Sequence, residues 1–289
     1  MRRGALLPQN EIGTDPGAIR AYARGVEELG YRHLTCYEHV LGAGLASRPG
    51  WEGRYSAEDA FHEPLVLFAH LAAVTTELEF ATCILVLPQR QTALVAKQAA
   101  ELALLSGNRF WLGVGAGWNR VEFEALGVPW ERRGARLDEQ IATLRRLWSA
   151  PTVDVAGEFD TIRDAGINPL PERPIPIWIG GAFSAPVLSR VARLADGWMP
   201  QTASARELEE PLERVRALLA GHGRAPGDLG LEARLQLARL PRETWAGEAA
   251  AYAALGATHL TVATHDLGCR SVDDHLEILR ELREVLGDV

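Results

Sequence analysis

LEFATCILVLPQRQTALVAKQAAELALLSGNRFWLGVGAGWN, running from Leu78 to Asn119, holds one complete strand–helix–strand unit. Leu78 to Leu87 is apolar almost throughout, as a strand covered on both faces should be. A helix is predicted over Thr92 to Leu105, and Ser106-Gly107-Asn108 turns the chain into a second strand, Arg109 to Gly113. Strands joined through a helix run parallel, because the crossover returns the chain to the same end of the sheet. The second strand ends in Gly113-Val114-Gly115-Ala116-Gly117. Glycine at every second position is a poor way to build a strand. It suits either a tight turn or a backbone that something else must approach closely.

The same alternation extends in both directions. Strands are predicted at Gly4–Pro8, Arg32–Tyr37, Pro176–Ile179, Gly197–Met199, Gly230–Leu237 and His259–Ala263. Helices are predicted from Asp15 to Leu29, Pro64 to Thr75 and Glu131 to Trp148. Further helices follow near Ser184–Leu194, Ala205–Ala220, Arg242–Leu255 and Ser271–Leu286. Thr152 to Pro174 interrupts the order, with Val153–Val155 and Phe159–Ile162 reading as an inserted hairpin around Gly157. Leu41 to Asp59 is a long polar loop after strand 2, beyond ordinary connection length, and reads as a lid or binding loop. Eight strand–helix units fit one closed (β/α)8 TIM barrel of the α/β class, a single domain over residues 1–289.

The totals agree with that reading and exclude others. A chain of 289 residues, 47% hydrophobic and 24% charged, can bury a large core. A formal charge of −8 argues against nucleic acid as a partner. No run approaches 18 apolar residues, so no membrane partner is expected, and the opening Met1–Pro8 reads as a strand rather than a signal. Three scattered cysteines without a C-x-x-C spacing suit a reducing cytoplasm.

In such a barrel the working face lies at the C-terminal ends of the strands. Those ends supply Gln9, Glu38-His39, Cys83–Pro88, Gly115–Asn119, Gly180-Gly181, Pro200-Gln201 and Thr264–Asp266. Of eight histidines only His39 and His265 fall there. No carboxylate pair suited to glycoside hydrolysis appears. Cys36-x-x-His39 and Asp59-x-x-His62 lack a second ligand pair, so no metal is expected. No Gly-x-Ser-x-Gly elbow exists, and Gly-x-Gly-x-Gly after the fourth strand is not a dinucleotide fingerprint. Ile179-Gly180-Gly181-Ala182 is more informative: a strand ends in two glycines just before a helix, a geometry that binds anions through backbone N–H groups.

Several segments together resemble the luciferase-like monooxygenase superfamily. They are Glu38-His39-Val40, Leu85-Val86-Leu87-Pro88 with Ala96-Lys97-Gln98, Leu105–Arg109, and Gly113–Asn119 with Glu122–Gly127. Arg133-Gly134, Pro176–Gly181 and Ala195-Asp196-Gly197-Trp198 complete the string. The resemblance implies a flavin- or deazaflavin-dependent (β/α)8 enzyme, closest to the branch using coenzyme F420. It implies His39 as the catalytic residue, beside the cofactor ring with Glu38. It implies a bulge with a cis peptide at Cys83-Ile84, which with Leu85 would back that ring. Gly115, Ala116, Gly117 and Trp118 would run alongside, and Gly180, Gly181 and Ala182 would bind the phosphate.

A small organic substrate is expected against Gln9, Trp51, Tyr55, Trp118 and His265. There are two departures. Glu38 stands where relatives usually carry aspartate. Trp118 occupies the place of the glutamate acid of the sugar-phosphate and alcohol dehydrogenases, so their substrates do not carry over. Hydride transfer with F420 is the leading expectation. An FMN-dependent monooxygenase fed by a flavin reductase is the alternative, and a barrel homologue without cofactor is the non-catalytic one. A homodimer is expected from the resemblance.

Overall fold

The computed structural model describes residues 1–287. Its strands are β1 (Arg2–Leu6), β2 (His33–Cys36), β3 (Glu79–Thr82), β4 (Leu85–Val86), β5 (Phe110–Gly115), β6 (Val153–Ala156), β7 (Thr161–Ala165), β8 (Ile177–Gly181), β9 (Gly197–Pro200), β10 (Gly230–Gln236) and β11 (His259–Ala263). Its helices are α1 (Pro16–Glu28), α2 (Pro64–Ala72), α3 (Thr92–Leu105), α4 (Arg120–Ala125), α5 (Arg133–Ser149), α6 (Ala185–Leu194), α7 (Ala205–Gly221), α8 (Trp245–Ala254) and α9 (Val272–Leu286). All but β6 and β7 form one parallel sheet in the order β3-β2-β1-β11-β10-β9-β8-β5-β4. Pairing of β3 with β5 closes it into the expected barrel, since β3 and β4 are one barrel strand broken in the middle. β6 and β7 pair antiparallel as the expected excursion.

Local chemistry explains the element boundaries. Asp15 caps α1 by accepting from the Ala18 N–H at 2.7 Å, Pro16 occupies the first turn, and Ile19, Tyr22, Ala23 and Val26 face the sheet. One apolar layer lies between strands and helices. A smaller one fills the barrel, with Trp111 and Trp178 packed at 4.5 Å between ring centroids towards the N-terminal end of the strands. That plug leaves the other end of the barrel open for a site.

Three local readings are corrected. The first strand begins at Arg2 rather than Gly4. A short helix, α4, follows the glycine run and was not anticipated. The strand predicted to end at Gly113 continues to Gly115. The glycines there serve close approach. A Cβ on Gly115 would meet Cδ1 of Ile84 at 2.7 Å, and one on Gly180 would meet Cγ2 of the same side chain at 2.6 Å. The chain leaves the strand only at Gly117, whose φ is +76°. β3 and β4 are interrupted by a cis peptide bond at Cys83-Ile84, at the expected position.

Candidate active site

A cavity of about 750 Å³ opens at the C-terminal ends of the barrel strands. Ile84, projecting from the break between β3 and β4, forms part of its wall between Gly115 and Gly180. Gly117, Trp118 and the first turn of α5 stand on one side. Gly181, Ala182 and the start of α6 lie beyond, and Tyr37, Arg234 and Gln236 close the opposite side under Tyr55 of the long loop.

His39 follows β2 and lines this cavity, its side chain 9% exposed. Its ring lies among those of Tyr55, Phe61 and Trp118, with centroids 5.3, 4.8 and 5.4 Å away. Nδ1 stands 3.2 Å from Oε2 of Glu122, on the first turn of α4. Glu122 is buried and also accepts from the N–H of Val40 at 2.8 Å and from Nε2 of Gln89 at 3.2 Å. Burial works to raise this carboxyl, but hydrogen bonds from His39, Leu41 and Gln89 outweigh it and hold it below the ordinary value. An ionised carboxylate only accepts, so Nδ1 carries a proton and Nε2 is the ring nitrogen left for chemistry.

Glu38 also borders the cavity, yet its oxygens are turned away and engaged. One accepts from the Val86 N–H at 2.7 Å, and Arg90 grips the other. Burial pushes the Glu38 carboxyl up against the pull of Arg90. Its visible work is to lock β2 to the strand carrying Ile84.

At the other end Gly181 and Ala182 lead into α6, whose N-cap, Ser184, makes no side-chain hydrogen bond. Arg133 of α5 borders the same region, its Nε donating to the Gly117 carbonyl at 3.3 Å. Burial lowers the Arg133 guanidinium from its ordinary value. The Arg133 guanidinium lies 3.6 Å from the Trp130 ring centroid and has no carboxylate partner among the described residues, so a glycine turn, a helix start and a cation stand together at this end, a combination suited to an anion.

The structure brings most expected site residues together: Glu38, His39, Tyr55, Cys83, Ile84, Gly115, Ala116, Gly117, Trp118, Gly180, Gly181 and Ala182 all line the cavity. Leu85 does not, because it packs fully buried between sheet and helices. Gln9 is fully buried and ties elements together, donating to the Tyr37 carbonyl at 2.9 Å and accepting from the His62 N–H. Trp51 donates to the Tyr55 carbonyl and meets the Trp118 ring outside the lining. His265 lies beside Tyr37, outside the lining, with both ring nitrogens buried and without hydrogen-bond partners among the described residues. The sequence reading does not single out the supporting residue Glu122 or several lining residues, among them Tyr37, Arg54, Arg133, Arg234, Gln236 and Arg239. The Asn119-x-x-Glu122 spacing is a helix-start signal that would have put Glu122 at the barrel mouth.

Comparison with known proteins agrees with this geometry. The sequence model of the luciferase-like monooxygenase family matches residues 1–282. An uncharacterised protein of Mycobacterium tuberculosis is 39% identical over 201 residues, covering 68% of this chain and 69% of that protein. An F420-dependent glucose-6-phosphate dehydrogenase of Amycolatopsis mediterranei is 31% identical, over 67% of this chain and 56% of its own. An FMNH2-dependent dimethylsulfone monooxygenase of Pseudomonas putida is 30% identical, over 63% and 53%. Among solved structures, an F420-dependent secondary alcohol dehydrogenase superposes over 99% of both chains with a TM-score of 0.77 at 16% identity. Fold, glycine-walled cavity and whole-chain match converge: this chain belongs to the luciferase-like monooxygenase family.

Proposed function

We propose that the protein is a coenzyme F420-dependent oxidoreductase that moves a hydride between the deazaflavin and a small organic substrate. The observation that carries this reading is His39, held through Nδ1 by a buried carboxylate with Nε2 left free at the cavity. Each hydride passed to a carbonyl or taken from an alcohol requires a proton at oxygen. An imidazole fixed in one tautomer is suited to give or take it.

The cavity fits such a cofactor. Ile84, with no Cβ on Gly115 or Gly180 to displace it, forms a firm backing for a flat ring. Gly181, Ala182 and Arg133 would hold the phosphate. When bound, the cofactor supplies the hydride donor or acceptor. His39 handles the proton, Glu122 orients the imidazole, and the loop carrying Tyr55 limits water. The relative named as F420-dependent supports this choice of cofactor.

A second reading, FMN-dependent monooxygenation with a reductase partner, draws on the Pseudomonas putida relative. Titration of the protein with F420 and with FMN tests both. The homodimer expected from the resemblance is part of the same proposal and is checked by light scattering. Among the described residues no helix is long and apolar enough to cross a membrane. A cytoplasmic setting is part of the same proposal, and the three free cysteines are compatible with it.

A further inference from the structure

Charge around the cavity is not balanced. Arg190 is held by Asp138, Arg234 by Glu232, and Glu38 by Arg90. That leaves Arg54, Arg133 and Arg239 with no carboxylate partner among the described residues, set against the one carboxylate of Glu52. The chain as a whole carries a formal charge of −8, so this positive excess is local.

The excess also falls into two groups. Arg133 belongs to the phosphate end, beside Gly117. Arg54 lies on the Tyr37 side. It lies 5.4 Å from the Tyr55 ring centroid, and the Tyr55 and Tyr37 centroids are 6.5 Å apart. The Arg234 guanidinium sits 5.5 Å from the Tyr37 ring. Arg239 follows Gln236 at the end of β10 and borders the same cavity. Arg234 commits Nε and Nη2 to Glu232. Its Nη1 has only the Tyr37 hydroxyl at 3.5 Å, the limit of a hydrogen bond. The side chain keeps 14% of its surface open, and it is a lining residue of the cavity.

The cofactor phosphate proposed above would account for the Arg133 group. The second group has no such partner. We propose that the substrate is itself an organic anion, a small carboxylate-type acid with a flat apolar body. Its acid group meets Arg234 and Arg54, its body lies along Tyr37 and Tyr55, and Arg239 raises the local concentration of anions at the mouth. This inference rests on the oxidoreductase reading of the cavity. The acidic tail of a bound deazaflavin is the other source of the same chemistry, and the experiment separates the two.

Benzoate and benzamide share a shape and differ in charge. Their affinities are measured by calorimetry on the protein alone and on protein saturated with cofactor. F420 and FMN affinities are measured separately in every variant. Benzoate should bind at least about tenfold tighter than benzamide. That preference should shrink to about twofold in Arg54→Gln/Arg239→Gln, with cofactor affinity unchanged. Glu232→Gln/Arg234→Met removes the buried pair together, so no lone buried charge is left to unfold the barrel, and should act likewise.

Equal affinity for the two probes, or no detectable benzoate binding, overturns the proposal. So does a loss of F420 affinity in the arginine variants with the benzoate preference intact, which assigns the arginines to the cofactor tail. Benzoate preference in a protein that binds neither cofactor would sink the oxidoreductase reading and leave the anion site standing.

Discussion

The Glu122 carboxylate lies 3.2 Å from Nδ1 of His39 and, through its other oxygen, holds the backbone N–H groups of Val40 and Leu41. One side chain on α4 therefore fixes both the imidazole and the start of the long loop that roofs the cavity. Glu122→Gln keeps the shape but removes the charge and puts a donor in place of an acceptor. Turnover is expected to fall about tenfold or more with cofactor affinity within about twofold of wild type. A parallel fall in cofactor affinity would mean that Glu122 only shapes the pocket.

His39→Ala deletes the proton-handling group without touching the phosphate end. Steady-state kinetics should show a loss of kcat of about 10²-fold or more, well beyond any loss of cofactor affinity. A variant with near-normal turnover would remove His39 from the chemistry.

Gly181 adopts φ +154°, a conformation that L side chains rarely take, and a Cβ there would stand 3.2 Å from Cγ1 of Val187. Gly181→Val should weaken cofactor binding by at least about tenfold while the circular dichroism spectrum stays that of the parent. Unchanged affinity would separate this turn from the phosphate.

Acid should unfold the protein early. Burial is the first cause holding His259, His265 and His275 down to about 4, and it holds His33 well below its ordinary value too. Between pH 6.5 and about 4 the unfolded chain binds protons on these rings and the folded chain does not. Stability therefore falls as pH drops through that window. Glu122, held low, adds a further loss as pH falls below its ordinary 4.5. Urea midpoints should decline steadily from pH 7 to 4. A flat profile would show that these rings are not kept neutral by the fold.

Much of this architecture is legible in the sequence. Apolar strands alternating with amphipathic helices specified the barrel, because burial on both faces leaves a strand little choice of composition. Strand ends then located the cavity, since loops after parallel strands all emerge at one end. Residues whose roles depend on pairing were not legible. Gln9 sits at a strand end but is consumed by the Tyr37 carbonyl and the His62 N–H. Leu85 is next to Ile84 in sequence and faces the other side of the wall. Glu122 was hidden because its helix is one short turn and a half, too brief for a periodic signal. The glycine run signals close approach but not its partner: what Gly115 avoids is Ile84, 31 positions earlier.

The central claim is that this cavity takes the deazaflavin, and titration of the cofactor-free protein with F420 and with FMN, followed by fluorescence, tests it most directly. The account predicts saturable F420 binding at least about tenfold tighter than FMN, lost in Gly181→Val and retained in His39→Ala. Tight FMN binding with none of F420 would contradict it in favour of the monooxygenase, and binding of neither would contradict both.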